Sequence, residues 1–298
     1  GQAYQGIGAF VAFRNEPAPH LVLLEVMAES PAEYAGLQDR DSIFAIDGVP
    51  TTSEKGISDI QRIRGLAGST VTLSISSPGG QIRDVVVTRG AINPLPQRII
   101  MNFMTETAVV YSAFPRLGYE GMDIDFLSIY QILAKERDIT GLIIDLRISS
   151  TGPTWPLSTL LSVFADGTLG HSKKAQEKIA ATIIGKDYYG SQSTPVVILI
   201  GPETMGQPEI FAASMQYANR AIVLGLPTLG LVEGADIFPM PDGSQLSLAT
   251  ITFITAAGRD LGLEGVEPDM SIDRYWETID PNNDMIINQA LNILQGSE

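Results

Sequence analysis

Cysteine is absent from this 298-residue chain, and histidine occurs only twice. The absence of cysteine excludes disulfides, thiol nucleophiles and thiolate metal sites together. His20 follows a proline-rich stretch and His171 lies beside several lysines, so neither has the spacing of a zinc ligand. We therefore expect no metal site and assign both histidines ordinary strand or surface roles.

Basic residues are also scarce, since 19 Lys and Arg stand against 34 Asp and Glu, for a formal charge of -15. A chain with this balance lacks a phosphate-binding footprint, so nucleic acid is not an expected partner. No apolar run approaches the roughly 18 residues of a membrane span, and no signal peptide is visible. Gly1 is not an initiator methionine, and membrane association is expected only through a segment outside this sequence.

Motifs for bound ions and cofactors are incomplete. Asp280-x-Asn282-x-Asp284 resembles the start of a calcium loop, but the required glycine is missing, and a turn capping the last helix is the better prediction. Gly6-x-Gly8 lacks the third glycine of a dinucleotide fingerprint. No G-x-S-x-G nucleophile elbow occurs. The sequence therefore predicts no cofactor.

Residues 1 to about 90 have the pattern of a small β-rich module. GAFVAF and HLVLLEV have strand composition, and SPAEYAGL predicts a short helix capped by Ser30 with Pro31 in its first turn. GSTVTLSIS and IRDVVVTRG alternate apolar and polar residues around Pro78-Gly79-Gly80, which predicts a hairpin.

After AINPLP, a plausible linker, strand and helix patterns alternate. GLIIDLR, TPVVILIG and RAIVLG are continuous apolar runs of the kind found in strands buried on both faces. MDIDFLSIYQILAKERD, WPLSTLLSVFAD, PEIFAASMQYA and NDMIINQALNIL predict helices. The order favours a parallel or mixed sheet covered by helices, with an antiparallel section in DGSQLSLATITFITAAG. The lysines 173, 174 and 178 are predicted to lie on a solvated helix face.

The order of these segments resembles the carboxyl-terminal processing, or tail-specific, serine protease family. YQGIGAF, SPAEYAGLQDRDSIFAIDG and IQRIRGLAGSTVTLSI resemble its PDZ domain. GLIIDLR, PEIFAASMQYANRAIVLGLPTLG and the ending GVEPD resemble its protease core. The resemblance covers essentially the whole chain. It implies an α/β fold with a PDZ domain at residues 1–90 and a ClpP/crotonase-like core at residues 91–298.

In that family a serine at the start of a helix and a lysine after a Pro-Thr-x-Gly turn form the catalytic dyad. Carried over by motif, the serine position falls on Gly206 and the lysine position on Leu231. An acidic position of the same helix falls on Tyr217. Serine needs a base to become a nucleophile, and lysine serves as one only when burial lowers its pKa. Neither group is present, so we expect no ordinary proteolysis.

The turn that reads Asn-x-Gly-Gly in the family is altered here and keeps only its last glycine, Gly152. Other hydroxyls in the region could replace the missing nucleophile if a base lies near them in the fold. They are Ser149, Ser150, Thr204 and Ser214. This leaves open an active serine endopeptidase with relocated catalytic residues.

Two binding features could survive without catalysis. Gly6-Ile7-Gly8-Ala9 resembles the PDZ loop whose backbone amides hold a peptide's terminal carboxylate; the alternative is a purely structural turn. The amides of Gly152 and Gln207 correspond to the family's oxyanion hole, or are only a structural vestige. Pro208 removes one donor from that turn.

The residues at positions 206, 231 and 217, beside a preserved PDZ pattern, predict a catalytically silent protein that binds peptide or protein C-termini, and the resemblance implies an extracytoplasmic compartment. Besides the relocated peptidase, a carrier of small apolar ligands stays an alternative, since related cores in retinoid-binding proteins hold such ligands. Cleavage assays and comparison of free with amidated C-termini separate these hypotheses.

Overall fold

The computed structural model describes residues 5–92, 97–104, 106–151, 154–232, 234–240 and 242–296. The chain forms two compact units. Unit 1 contains Gly1–Gln97 and Tyr275–Asn283, and unit 2 contains Arg98–Arg274 and Asp284–Glu298. The sequence places the division near residue 90 and assigns all later residues to the second domain. The compact units instead divide at Gln97, and the segment 275–283 packs with unit 1.

Unit 1 is a small antiparallel β structure with two short helices. Its strands are β1 (Gln5–Gly6), β2 (Ala9–Arg14), β3 (His20–Val26), β4 (Ser42–Ile46), β5 (Val49–Pro50), β6 (Thr70–Ser76), β7 (Arg83–Thr88) and β8 (Gly90–Ala91). The helices are α1 (Pro31–Tyr34) and α2 (Ile60–Ile63), with 3-10 turns at Gly56–Asp59 and Trp276–Thr278. The main sheet has the order β2-β3-β4-β6-β7, with β5 paired to β4. Strand β2 therefore lies at an edge of this sheet.

Local sequence explains the elements of unit 1. The Ser30 hydroxyl accepts a hydrogen bond of 3.2 Å from a backbone N–H in the first turn of α1, as a helix cap does. The hairpin between β6 and β7 closes through Gly79, whose φ of 70° suits glycine. Alternation along β6 buries Val71, Leu73 and Ile75. The predicted cap, hairpin and alternation are confirmed.

Unit 2 contains two sheets. Its strands are β9 (Ile100–Phe103), β10 (Val109–Ala113), β11 (Gly141–Asp145), β12 (Gly167–Lys174), β13 (Glu177–Ile183), β14 (Val196–Ile200), β15 (Ala221–Gly225), β16 (Gly234–Pro239), β17 (Gln245–Thr255) and β18 (Met270–Ser271). The helices are α3 (Met122–Glu136), α4 (Leu157–Phe164), α5 (Gln207–Tyr217), α6 (Leu261–Glu264) and α7 (Met285–Gln295). One sheet has the order β18-β15-β14-β11-β10-β9 and the other β13-β12-β17-β16.

The first sheet is parallel except for the pairing of β9 with β10. Every residue of β11 and of β14 is buried, because helices cover both faces. The core against α3, α4 and α5 includes a run of aromatic side chains in mutual contact. They are Phe114, Phe126, Trp155, Phe164 and Phe211. The alternating strand and helix pattern predicted from the sequence is confirmed.

The predicted helix at the lysine run is wrong, because these residues form strands. Lys173 and Lys174 lie on β12 and Lys178 lies on β13, and Lys173 faces Lys178 across the antiparallel ladder. The intervening turn places Ala175 at a φ of 51°, which ends any helical path. The charge of the lysines predicted exposure to solvent but not the type of element. This segment is a strand because it pairs with β17, which lies far along the chain.

The last helix begins at a capped and charged turn, as predicted, rather than at a calcium loop. Asp284 accepts hydrogen bonds from the amides of Ile286 and Ile287 at 3.0 and 3.2 Å. Its other carboxyl oxygen lies 2.8 Å from the Arg147 guanidinium, which also pairs with Asp145 at 2.6 Å. Burial raises the pKa of the Asp145 carboxyl, but the Arg147 guanidinium outweighs burial and holds that pKa below its ordinary value.

Candidate functional site

The candidate site lies where β10, β11, β14 and β15 end at the same edge of the parallel sheet. Such edges are where open α/β sheets place their ligands. Backbone bridges join Leu117 to Ser150 and Ser150 to Met205, so three of the loops run side by side. The guanidinium of Arg116 donates two hydrogen bonds of 2.8 Å, each to a backbone carbonyl oxygen of a different one of these loops. The loops are therefore held in a defined arrangement.

Gly206 precedes α5 and adopts a φ of 73° and a ψ of -123°. This conformation is strained for residues with a Cβ and is typical of sharp turns at functional sites. Here it holds a residue without a side chain. The position at which the sequence resemblance places a serine nucleophile thus has the backbone of a tight turn and no attacking atom.

Thr151 fills the space that a side chain on Gly206 would need. Its hydroxyl oxygen lies 2.0 Å from the point where a Cβ on Gly206 would stand. The same oxygen accepts a hydrogen bond of 2.5 Å from the backbone N–H of Gln207. The turn is therefore closed by a hydroxyl of the chain itself, which also satisfies the first amide of α5.

The buried carboxylate of Glu209 ties the serine position to the lysine position. It accepts hydrogen bonds of 2.8 Å from the amides of Gly206 and Gly230. The Leu231 amide and the Thr228 hydroxyl are directed at it as well. Burial raises the pKa of the Glu209 carboxyl, and these donors oppose the rise. Glu209 thus positions the two loops that carry Gly206 and Gly230.

The structure brings the two expected dyad positions together. The carbonyl oxygen of Leu231 lies 3.6 Å from the Cβ position of Gly206. The Leu231 side chain is hydrocarbon and half exposed, at 51%. Tyr217, at the expected acidic position, ends α5 and is 44% exposed. The site therefore has neither a nucleophile nor a base at the positions that the resemblance assigns to them.

Of the predicted oxyanion donors, Gly152 lies outside the described residues. The Gln207 amide is already bonded to the Thr151 hydroxyl. Pro208, the next residue, is buried and has no N–H.

The structure places the alternative hydroxyls in different surroundings. Ser149 is buried and donates to the Pro115 carbonyl at 2.9 Å. Thr204 is buried and donates to the Leu146 carbonyl at 2.8 Å. Ser214 lies fully buried within α5. Ser150 is half buried, and its amide donates to the Arg116 carbonyl at 2.7 Å. The hydroxyls of Ser149 and Thr204 are therefore held by backbone carbonyls.

A second candidate site lies in unit 1, between the edge strand β2 and α2. The predicted loop residues Gly6, Ile7, Gly8 and Ala9 line a cleft there. The opposite wall consists of α2 and the residue that follows it. The further lining residues are Val11, Ile60, Ile63 and Arg64. The arrangement is an apolar groove beside an unpaired strand edge, with one cationic side chain at its wall.

The loop backbone is fixed by contacts to the interior of unit 1. The carbonyl oxygens of Ile7 and Gly8 accept hydrogen bonds from Ala32 and Met27, at 2.8 and 3.0 Å. Gly8 has a φ of 80°, and a Cβ there would lie 2.5 Å from the Cβ of Ser30. Only glycine fits this close approach. The loop is thus a preformed turn at the start of β2.

Sequence reasoning missed Thr151, Glu209 and the α2 wall of the groove. The spacing of Ile60 and Ile63 is a helical signal that could have identified the wall. Thr151 and Glu209 act through loops that meet only in the fold.

Within the described ranges, no cluster of three or more His, Asp or Glu side chains could hold a metal ion. Across the same ranges, no helix combines the length and apolar composition needed to cross a bilayer.

Comparison with known families identifies a domain in each part of the chain. Residues 109–272 match peptidase family S41, and residues 22–76 match a PDZ domain. A carboxyl-terminal-processing protease of Picosynechococcus is 28% identical, covering 93% of this chain and 68% of the relative. The carboxy-terminal processing protease CtpB of Bacillus subtilis is 25% identical, covering 91% and 55%. A carboxyl-terminal-processing peptidase 3, chloroplastic, of Arabidopsis thaliana is 24% identical, covering 89% and 53%. The chain thus spans about half to two thirds of these relatives.

Solved structures share the fold. The photosystem II D1 C-terminal processing protease superposes with a TM-score of 0.64 at 21% identity, covering 92% of this chain and 73% of that one. A putative S41 protease from Bacteroides fragilis gives 0.63 at 18% identity, covering 100% and 87%. The predicted α/β architecture, with an N-terminal PDZ domain and a protease-like core, is confirmed.

Proposed function

Because this chain belongs to peptidase family S41 and contains a PDZ domain, yet has glycine and leucine at the dyad positions, we propose that it binds free C-termini without cutting them. The observation on which the proposal depends is a contrast between two sites. The cleft beside β2 combines the Gly6–Ala9 turn with apolar lining residues next to a strand edge, whereas the turn at Gly206 is filled by the Thr151 hydroxyl.

The atoms at the core site support the proposed catalytic silence. Acyl transfer needs a nucleophile and a base within hydrogen-bond reach of each other. Gly206 supplies no nucleophile, and the leucine side chain at position 231 accepts no proton. Removing the nucleophile from such a unit costs about a million-fold in rate.

Peptide capture follows from the geometry of unit 1. An extended peptide can add to the unpaired edge of β2 through backbone hydrogen bonds. Successive amides of the Gly6–Ala9 turn favour a terminal carboxylate. Ile7, Val11 and Ile60 then favour an apolar last residue.

The proposed setting of the protein is extracytoplasmic. The resemblance to processing proteases supports an extracytoplasmic setting. One of these relatives is named as chloroplastic. Fractionation of the native host, with an antibody against this chain, tests the proposal. Recovery in the cytosol alone would contradict it.

Peptide capture is tested by fluorescence anisotropy with a labelled decapeptide ending in Ala-Ala-Val. We expect the free acid to bind at least tenfold more tightly than its C-terminal amide. Ile60→Ser should weaken binding about tenfold, by loss of apolar contact of roughly 1–2 kcal/mol. Ile57→Ser is the matched control, because Ile57 lies on the neighbouring turn, is 50% exposed and is not among the residues lining the cleft.

Each alternative predicts a different result. Equal affinity for acid and amide would remove carboxylate capture. Cleavage of the peptide would favour a peptidase with relocated groups. Binding of retinoids at the core, with no peptide binding at all, would favour the small-ligand carrier.

A further inference from the structure

The four-stranded sheet of unit 2 has a face that begins in the core and continues beyond it without cover. The sheet has the order β13-β12-β17-β16. Phe253, near the end of β17, is buried and belongs to the hydrophobic core. At the start of the same strand, next to the hairpin turn with β16, every residue from Gln245 to Ala249 is exposed. One end of β17 is therefore packed in the core, and the other end is open to solvent.

Strand register places the exposed apolar side chains of the β16–β17 hairpin on one face. Phe238 lies opposite Leu246 in the antiparallel ladder. The Met240 N–H, two residues farther along, donates to the Ser244 carbonyl, so the ladder continues towards the turn. Side chains two residues apart on a strand point to the same face. Phe238, Met240, Leu246 and Leu248 therefore share one face, here called the distal face, and each is 44% or 45% exposed.

An ion pair links the distal face to the face that Phe253 occupies in the core. Asp236 lies opposite Leu248, and its carboxylate lies 2.7 Å from the Lys174 ammonium. Lys174 is two residues from Ser172 on β12, and Ser172 lies opposite Phe253. A sheet normally buries its apolar face against another layer of structure. Within the described part of unit 2, no element buries any side chain of the distal face.

The charge distribution favours a second copy of this chain as the partner of the distal face. The chain has a formal charge of -15, so two copies repel each other over most of their surfaces. Strands β16 and β17 contain a single charged residue, Asp236, and Lys174 neutralises it. Two copies can therefore approach here without the general repulsion. Apolar sheet faces pack on each other about 10 Å apart, and a two-fold axis closes such a contact at two copies.

The size of the distal face indicates a weak dimer. Its four side chains and their polar neighbours, counted in both copies, would bury on the order of 1,000 Å². That area is at the low end of specific interfaces, so we expect a dissociation constant on the order of 10 µM.

We propose that two copies of this chain form a two-fold dimer in which the distal faces of their β16–β17 hairpins pack on each other. The proposal depends neither on peptide capture nor on catalytic silence. It identifies the second copy as the layer that covers the exposed end of the sheet.

Sedimentation velocity of the full chain between about 1 and about 100 µM tests the proposal, and mass action should shift the wild-type protein from monomer to dimer over this range. Leu248→Lys should raise the dissociation constant about tenfold or more, because the two-fold axis buries two added charges. Ile237→Lys is the matched control. Ile237 adjoins Phe238 on β16 and is 61% exposed, but it points to the opposite face, so its replacement should leave the dissociation constant nearly unchanged.

A second measurement needs no variant to fold. Hydroxyl-radical footprinting of the wild-type chain compares side-chain oxidation at the two ends of the same concentration range. Oxidation of Phe238 and Leu248 should fall about threefold in the concentrated sample, where mass action favours the dimer. Oxidation of Ile237 should stay the same.

Three results would overturn the proposal. The first is a wild-type chain that stays monomeric throughout the concentration range. The second is equal weakening of the dimer by Leu248→Lys and Ile237→Lys, because packing of one face must distinguish the two positions. The third is a dimer in which Phe238 and Leu248 gain no protection, because another surface would then form the interface. Binding of the labelled decapeptide is measured separately, so each of these results leaves the proposed function standing.

Discussion

The hydroxyl oxygen of Thr151 lies 2.0 Å from the place where a Cβ on Gly206 would stand. No heavy atoms approach so closely without bonding, so a side chain at position 206 requires Thr151 to move. The absence of a side chain at position 206 and the placement of the Thr151 hydroxyl are thus sterically linked. The closed turn also explains how α5 keeps its first amide satisfied without a serine.

This relationship predicts the cost of restoring a serine. Gly206→Ser should lower the free energy of unfolding by about 2–4 kcal/mol, from positive-φ strain plus overlap. Adding Thr151→Gly to Gly206→Ser should recover the part of the unfolding free energy that is lost to the steric overlap. The double variant should therefore lose less unfolding free energy than the two single variants lose together.

Gly79→Ser is the control for strain alone, because Gly79 has a φ of +70° and open space around its Cβ position. Urea unfolding of the wild-type protein and of these four variants (Gly206→Ser, Thr151→Gly, the double variant and Gly79→Ser) measures these differences. Equal losses for Gly206→Ser and Gly79→Ser would contradict the steric account.

Restoring both dyad positions should still give a poor enzyme. A lysine at position 231 would replace a side chain that is 51% exposed, so water would keep its pKa close to the ordinary value of about 10.4. The variant with Thr151→Gly, Gly206→Ser and Leu231→Lys should react with a fluorophosphonate slowly at pH 7. The rate should rise about tenfold per pH unit towards pH 10, as the fraction of neutral lysine does. A pH-independent rate would show that position 231 supplies no base.

Glu209 should make stability depend on pH. Burial raises the pKa of this carboxyl above its unfolded value, so the folded state holds the proton more tightly than the unfolded chain. Its contribution to stability is fullest below about pH 4.5 and is lost as the pH rises through the folded pKa.

Glu209→Gln removes this dependence, so wild-type stability relative to the variant should fall as the pH rises from 4. Glu136→Gln, on the exposed end of α3, is the control. Parallel stability curves for wild type and Glu209→Gln would contradict the assignment.

The buried charges at the start of α7 should matter for stability of unit 2. Asp284→Ala removes the helix cap and one of the two carboxylate partners of Arg147, at a cost of about 2–4 kcal/mol. Asp284→Asn keeps an oxygen for the cap and should cost less. Asp280→Asn, in the exposed preceding turn, should change stability by less than about 0.5 kcal/mol. A loss for Asp284→Ala no greater than for Asp280→Asn would refute the buried pairing.

The positions of Gly206 and Leu231 were predictable because motif order fixed them relative to α5 and the turn after β15. Their proximity followed from parallel strands ending at one edge. Thr151 was not predictable as the group that fills the turn, because its contact with Gln207 depends on the meeting of two loops. The pairing of Arg14 with Glu277 was hidden for a similar reason, since 263 positions separate them.

The lysine run shows a different limit. Lys173, Lys174 and Lys178 have the charge of an exposed surface, and the prediction of exposure did not decide between helix and strand. Pairing of β12 with β17 decided it. Strand propensity depends on cross-strand partners, and these are distant in sequence.

The most direct test of catalytic silence is intact-mass analysis after treatment with a fluorophosphonate at pH 7.5. The Picosynechococcus protease serves as the reactive control. We predict an adduct on the control and none on this chain, with no cleavage of the free-acid decapeptide over the same time. A stoichiometric adduct on a serine or threonine of this chain, together with peptide cleavage, would contradict the account.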